Sequence, residues 1–268
     1  MRLDTLRLDW ELARRGYARY AAYPAASFAG IFVNTIFGFM RTFVLLALFE
    51  QRDRIAGYDA SATVTYVWLG QAMIMTIFIY GWQDLALRIR SGDIAGDLVR
   101  PVHPLRAALA FDLGRALYHA LFRGIPPLLI GAIVFRLVLP AGALEWIAFA
   151  VSVVLAIVVS FAFRAIYNVV AFWTTDHRGA LLLGGIAVNL FSGFIVPVAF
   201  FPEWLAAVAN ATPFPSMVQL PIDIYIGRAV GIDVLRILAV QLAWAGALLV
   251  VAERLFALGV RRLVVQGG

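Results

Sequence analysis

The chain has 268 residues, 63% of them hydrophobic and only 14% charged, where a soluble domain carries roughly 25% charge. That deficit places it among membrane proteins. With no cysteine and no lysine, it is excluded from disulfide, thiolate and Schiff-base chemistry, and it lacks a phosphate-binding loop of the Gly-x-x-x-x-Gly-Lys-Ser/Thr type. The net charge of +6 rests on arginine alone; arginines at span ends account for it, and nucleic acid is not expected as a partner.

Residues 1–22 predict a helix. Leu3, Leu6, Trp10, Ala13 and Tyr17 share a stripe, and Glu11 lies within reach of Arg7 and Arg15 at i±4. The stretch holds five arginines and no continuous apolar core, so it does not read as a signal peptide. An interfacial helix on the cytosolic membrane surface is expected, with a helix packed on protein as the alternative.

A span needs about 20 mostly apolar residues. Six stretches qualify: 24–49, 62–82, 113–139, 144–173, 179–201 and 234–252. With the N-terminus inside, fourteen arginines fall on the cytosolic side and five (Arg52, Arg54, Arg136, Arg228, Arg236) outside, so both termini are expected in the cytosol.

Between the second and third spans, residues 83–104 form the longest polar interruption. Helical character over Asp84–Arg90, with Asp84 and Arg88 at i, i+4, ends at Gly92. Asp93 is placed to cap a second short helix, residues 94–99, before Arg100-Pro101. Such a helix–break–helix suits docking into a partner's groove. Residues 202–233, before the last span, are semi-apolar but broken by Pro213, Pro215 and Pro221, which forbid one continuous span. Short helices dipping into the outer leaflet are expected there, their irregular backbone covered by protein or water.

Catalytic and metal motifs are absent: His103, His119 and His177 have no zinc-type spacing, and Ser192-Gly193 lacks the leading glycine of a nucleophile elbow. Inside the predicted spans the only acid is Glu145, at a span end, which counts against proton- or sodium-coupled transport. Arg41, Arg123 and Arg164 lie in the apolar zone, each costing about 2.5–3.5 kcal/mol at mid-membrane. They either snorkel or face an aqueous cavity that attracts an anion. Asn34, Gln71, Asn168 and Asn189 are further polar positions for a path or for bonds between helices.

Ser91-Gly92-Asp93-Ile94, then Asp97-Leu98-Val99-Arg100-Pro101, and further along Pro197, Phe201-Pro202-Glu203-Trp204-Leu205, Thr212-Pro213-Phe214 and Gly227, resemble the permease subunits of ABC-2 type transporters. The layout of the whole chain resembles the bacterial six-span subfamily of similar length. The resemblance implies an all-α integral membrane protein of the cytoplasmic membrane, the permease half of an exporter working by alternating access. A separate ATPase subunit would carry ATP and Mg2+, and this chain would hold no cofactor. Asp84, Arg88, Arg90, Gly92, Asp93, Asp97 and Arg100 would form the coupling element seated on the ATPase. Pro202, Trp204, Pro213 and Phe214 would belong to the external gate. Arg41, Gln71, Arg123, Arg164, Asn189 and Ser192 are candidates for the translocation path, and a second permease, identical or homologous, would complete the core. The alternative is an ion-independent channel or secondary carrier with no ATPase.

Overall fold

The computed structural model describes residues 2–77, 82–174 and 178–263, and among them every regular element is helical. The end of the second predicted span and His177 lie outside the described residues. Among the described residues four helices are long and apolar enough to cross a membrane: Pro24–Phe49, Pro104–Val134, Ala143–Phe172 and Ile232–Val260, of 26 to 31 residues.

Helix α1 (Arg2–Ala21) lies against α6 (Pro104–His119), both running the same way. Their backbones almost touch. A Cβ on Gly114 would stand 1.7 Å from the Ala13 carbonyl oxygen, and one on Gly16 would stand 2.0 Å from that of Phe111. Arg106 clasps Asp9 at 2.6 Å, and the Tyr17 ring meets Tyr118 edge-on. The predicted stripe therefore divides: Ala13 and Tyr17 turn toward α6, whereas Leu6 and Trp10 stay exposed. Overpacking such a contact costs about 1–3 kcal/mol or more. Gly114→Leu is expected to undock α1 and raise its cleavage in limited proteolysis about tenfold, while Gly96→Ala, with nothing within 4 Å, leaves cleavage unchanged.

Helix α2 (Pro24–Leu46) starts at a proline, suited to a first helical turn, and buries Ser27, Gly30, Asn34, Gly38, Thr42 and Leu45. This spacing of three to four presents one small, polar face inward; Phe28, Phe32 and Phe43 face out. The buried face packs on α3 (Ala60–Ile77) and α7 (Ile125–Val134). Trp68 of α3 is fully buried between Gly38 and Gly131, where added Cβ atoms would meet its ring at 3.0 and 2.3 Å.

Helix α3 is the centre of the bundle, touching α2, α6, α7, α8 (Ala143–Val169) and α11 (Gln219–Tyr225). A helix covered all round needs no polar face. Two short helices, α4 (Asp84–Ser91) and α5 (Ile94–Leu98), follow it. A π turn, Ala120–Gly124, joins α6 to α7. After α8 come α9 (Arg178–Phe191), α10 (Glu203–Asn210), α11 and the long α12 (Ile232–Val260), which packs along α8.

Three helices differ in extent from the predicted stretches. The helix that carries the third begins at Pro104, ahead of residue 113, and ends at Val134, where Phe135 turns to extended backbone. The fifth is a 14-residue helix that stops at Phe191, because Gly193 takes a φ of +84°. The sixth runs to Val260 rather than 252.

Candidate functional site

At the arginine-rich end, α4 and α5 form a knob. Gly92 closes α4 with φ +83°, a left-handed cap that a side chain rarely tolerates. The underside, Leu85, Ala86, Ile89 and Ile94, is buried against Leu105, Phe161 of α8 and Phe256 of α12. The outer side shows Leu87, Arg90, Val99 and Arg100, with Val99 85% exposed. Two expected contacts differ. Asp84 pairs with Arg19 of α1 at 3.1 Å, and Arg88 donates to Asp97 across the break at 2.7 Å, so the charges tie the knob's parts together instead of pairing within α4. Asp93 holds the N-cap position of α5 without capping it; its carboxylate accepts from the Ser91 hydroxyl at 2.6 Å. Arg100 approaches the other Asp97 oxygen at 3.6 Å.

Beneath the knob lies a polar core. Asn168 of α8 accepts from the Ala86 amide at 3.0 Å and donates to the Trp82 carbonyl at 2.9 Å, fixing the start of α4 on α8. One turn back, Arg164 grips Asp112 of α6 with both terminal nitrogens, at 2.7 and 3.3 Å, and lies 5.6 Å from the Trp82 ring. Arg115 bonds the same carboxylate at 2.7 Å and donates to the Thr76 carbonyl of α3 at 3.0 Å. Ser160 donates to the Ile77 carbonyl at 2.8 Å. All three charged groups are at most 5% exposed. Arg115 and Ser160 thus bond consecutive carbonyls of α3, those of Thr76 and Ile77. One cluster thus joins α3, α6, α8 and the knob.

One expectation is corrected: a carboxylate does lie within an apolar helix, and the Arg164 guanidinium is bonded to it. Asp112 and Arg115, one helical turn apart at i, i+3, were the available signal.

At the opposite end, Gln219 of α11 is the hub of a second network. Its amide oxygen accepts from Tyr66 and from the Val198 amide, each at 2.8 Å; its nitrogen donates to Tyr58 at 2.7 Å and to Asp223 at 2.8 Å. Tyr58 also donates to Asp223 at 2.7 Å, and Arg228 lies 3.3 Å from that carboxylate and 4.0 Å from the Tyr58 ring. Burial pushes the Asp223 carboxyl above its usual range, with its three partners pulling it back. None of these residues was a site candidate from sequence, where Arg228 figured only among the outer arginines. Of the expected gate residues, Phe214 is buried against the rings of Phe163 and Phe191, Pro213 precedes its turn, Pro202 precedes α10, and Trp204 is 68% exposed.

Two cavities open along the apolar zone. One of about 570 Å³ lies between α2, α3 and residues 194–196, bordered by Asn34, Arg41 and Gln71. Arg41 donates to the carbonyls of Phe194 and Ile195, with Phe194's ring 4.7 Å from its guanidinium. The second, about 640 Å³, follows α9 past Arg178 and Asn189. Ile195 borders both. The structure therefore brings Arg41 and Gln71 to one cavity and Asn189 to its neighbour. Arg123 sits on Gly30, and Ser192 is fully buried, accepting from the Phe194 amide at 3.2 Å; neither borders these two cavities.

The long apolar helices are those of an integral membrane protein. Residues 19–267 match the family model described as ABC-2 family transporter protein, and the chain belongs to that family: it is an ABC transporter permease. No curated protein and no solved structure matches it.

Proposed function

We propose that this chain is the membrane-spanning permease subunit of an ATP-driven exporter in a bacterial cytoplasmic membrane, and that its ATPase partner seats on the α4–α5 knob. The observation that carries this is the knob's construction: an exposed outer face on a base bonded to α8, so that a push on it reaches the spans. In this reading α3 and α9 complete six crossings; the 18 residues of α3 rise about 27 Å, close to a hydrocarbon core. An even number leaves both termini and the knob in the cytosol, with α10 and α11 at the outer surface and α1 at the membrane interface.

ATP and Mg2+ belong to the ATPase. Closure of two such subunits would tilt the knob, and Asn168 with the Asp112 cluster would carry the motion into α3, α6 and α8. A second permease would complete the path, which the cavities at Arg41, Gln71 and Asn189 would join, while the Gln219 network would hold the outer segment shut. The carrier alternative is not favoured, because Asp112 is held by two guanidiniums rather than open to a transported ion.

Co-expression with a candidate ABC ATPase subunit tests this. Arg100→Glu and Val99→Asp alter only exposed positions. Each is expected to reduce co-purification at least about tenfold, the effect of losing one interface anchor; Arg236→Glu, at the opposite end, leaves it unchanged. Wild-type assembly and transport-coupled hydrolysis in both knob variants would sink the docking claim.

A further inference from the structure

We propose that Arg123 and the Tyr118–Ser27 hydroxyl pair, where the π turn meets α2, bind the phosphate of a membrane phospholipid in the leaflet nearer the knob. The π turn builds the site. It is closed by the Ile125 amide on the Ala120 carbonyl, a five-residue step. Positions five apart, which a regular α-helix would set on different faces, come into line. Tyr118 and Arg123 therefore both meet α2.

The Tyr118 hydroxyl lies 2.8 Å from that of Ser27, and both side chains are buried. One hydroxyl donates to the other, which leaves the second proton for an acceptor. One turn further along α2, the Arg123 guanidinium rests directly on Gly30: a Cβ there would stand 1.9 Å from its terminal nitrogen. The Arg123 Nε is buried with no hydrogen-bond partner, and no carboxylate pairs with this arginine among the described residues. On the same turn His119 is buried with neither ring nitrogen hydrogen-bonded. The Arg123 Nε and a spare hydroxyl proton lack protein partners within one turn of α2, and the His119 nitrogens, whose ring packs edge-on to Tyr20, are unbonded nearby in the chain. That is a donor set for a phosphate, which offers several acceptor oxygens and takes a guanidinium well.

Depth and surroundings favour a lipid as its source. Gly30 lies six residues past Pro24, about 9 Å along the axis from the start of the apolar helix. Helical side chains lean toward the helix N-terminus, so Arg123 reaches back toward that membrane face. Phe28, Phe122 and Ile125 beside it are 71%, 47% and 44% exposed, an apolar flank for acyl chains. The site does not depend on the ATPase.

The test is native mass spectrometry of the purified chain after delipidation, with phosphatidylglycerol, the matching diacylglycerol and inorganic phosphate as probes. Wild type is expected to retain phosphatidylglycerol and not diacylglycerol. Arg123→Gln is expected to lose at least about tenfold in retention, the loss of one charge-assisted hydrogen bond. Gly30→Ala keeps the charge but fills the seat; because only a flexible guanidinium must move, it folds and decides the matter should Arg123→Gln not. Arg236→Gln, at the opposite end, retains lipid normally. Wild-type retention in both Arg123→Gln and Gly30→Ala overturns the site. Displacement of the lipid by inorganic phosphate, with phosphate itself retained, overturns the lipid as its source.

Discussion

Asp112→Ala is expected to lower stability by about 3–5 kcal/mol, the usual effect of removing one partner from a buried ion cluster. The carboxylate sits between two guanidiniums that are almost wholly inaccessible to water. Without it, Arg115 and Arg164 repel each other in a medium that screens poorly. The thermal midpoint of the purified chain should fall by several degrees, or the protein should leave the monodisperse peak. Replacing all three by apolar residues of similar volume should recover much of the loss, since such replacements are often neutral or stabilising. That triple variant would still lose the bond from Arg115 to the Thr76 carbonyl of α3. It therefore separates the two roles of the cluster: restored stability with lost coupling to the ATPase places transmission in the cluster, and restored coupling places it elsewhere. A single Asp112→Ala variant within about 1 kcal/mol of wild type would show that the three charges are not acting on one another.

The knob was legible because its signals are local. Gly92, the flanking prolines and the alternation of buried and exposed positions lie within twenty residues, and each has a backbone cause. The long helices α2, α8 and α12 were legible from apolar length alone. Pairing was not. Asp84 and Arg88 have the spacing of an intrahelical pair, yet Arg19 and Asp97 offer partners that tie separate elements together. Arg164 could not be placed because its counter-ion is 52 residues earlier on another helix. Asp112 itself was lost at a boundary: a hydropathy rule trims charged residues from span ends, although a satisfied charge can lie inside. The outer network was silent for a different reason. Tyr58, Tyr66 and Gln219 carry no formal charge and come from two segments more than 150 residues apart, so neither charge counting nor periodicity could bring them together.

That outer network gives the second large effect. Gln219→Leu keeps much of the side chain's bulk but removes four hydrogen bonds at once. It leaves the buried Val198 amide without its acceptor and Asp223 short of a donor, at about 1–3 kcal/mol for each orphaned buried group. The deficit should depend on pH, with a definite sign. Burial already holds the Asp223 carboxyl above its unfolded value, against the pull of Gln219, Tyr58 and Arg228. A raised folded value means a contribution to stability that is full below the unfolded value, near 4, and declines as pH rises through the folded value. Removing the Gln219 donor raises the folded value further, so the variant's deficit should be smallest in acid and grow between about pH 4 and 8. Thermal midpoints of wild type, Gln219→Leu and Asp223→Asn across that range check it. The Asp223→Asn protein should show the flattest profile of the three. A Gln219→Leu deficit that is constant with pH would mean that Gln219 acts through Val198 and Tyr66 alone, and that the carboxyl takes no part in holding the outer segment to α3.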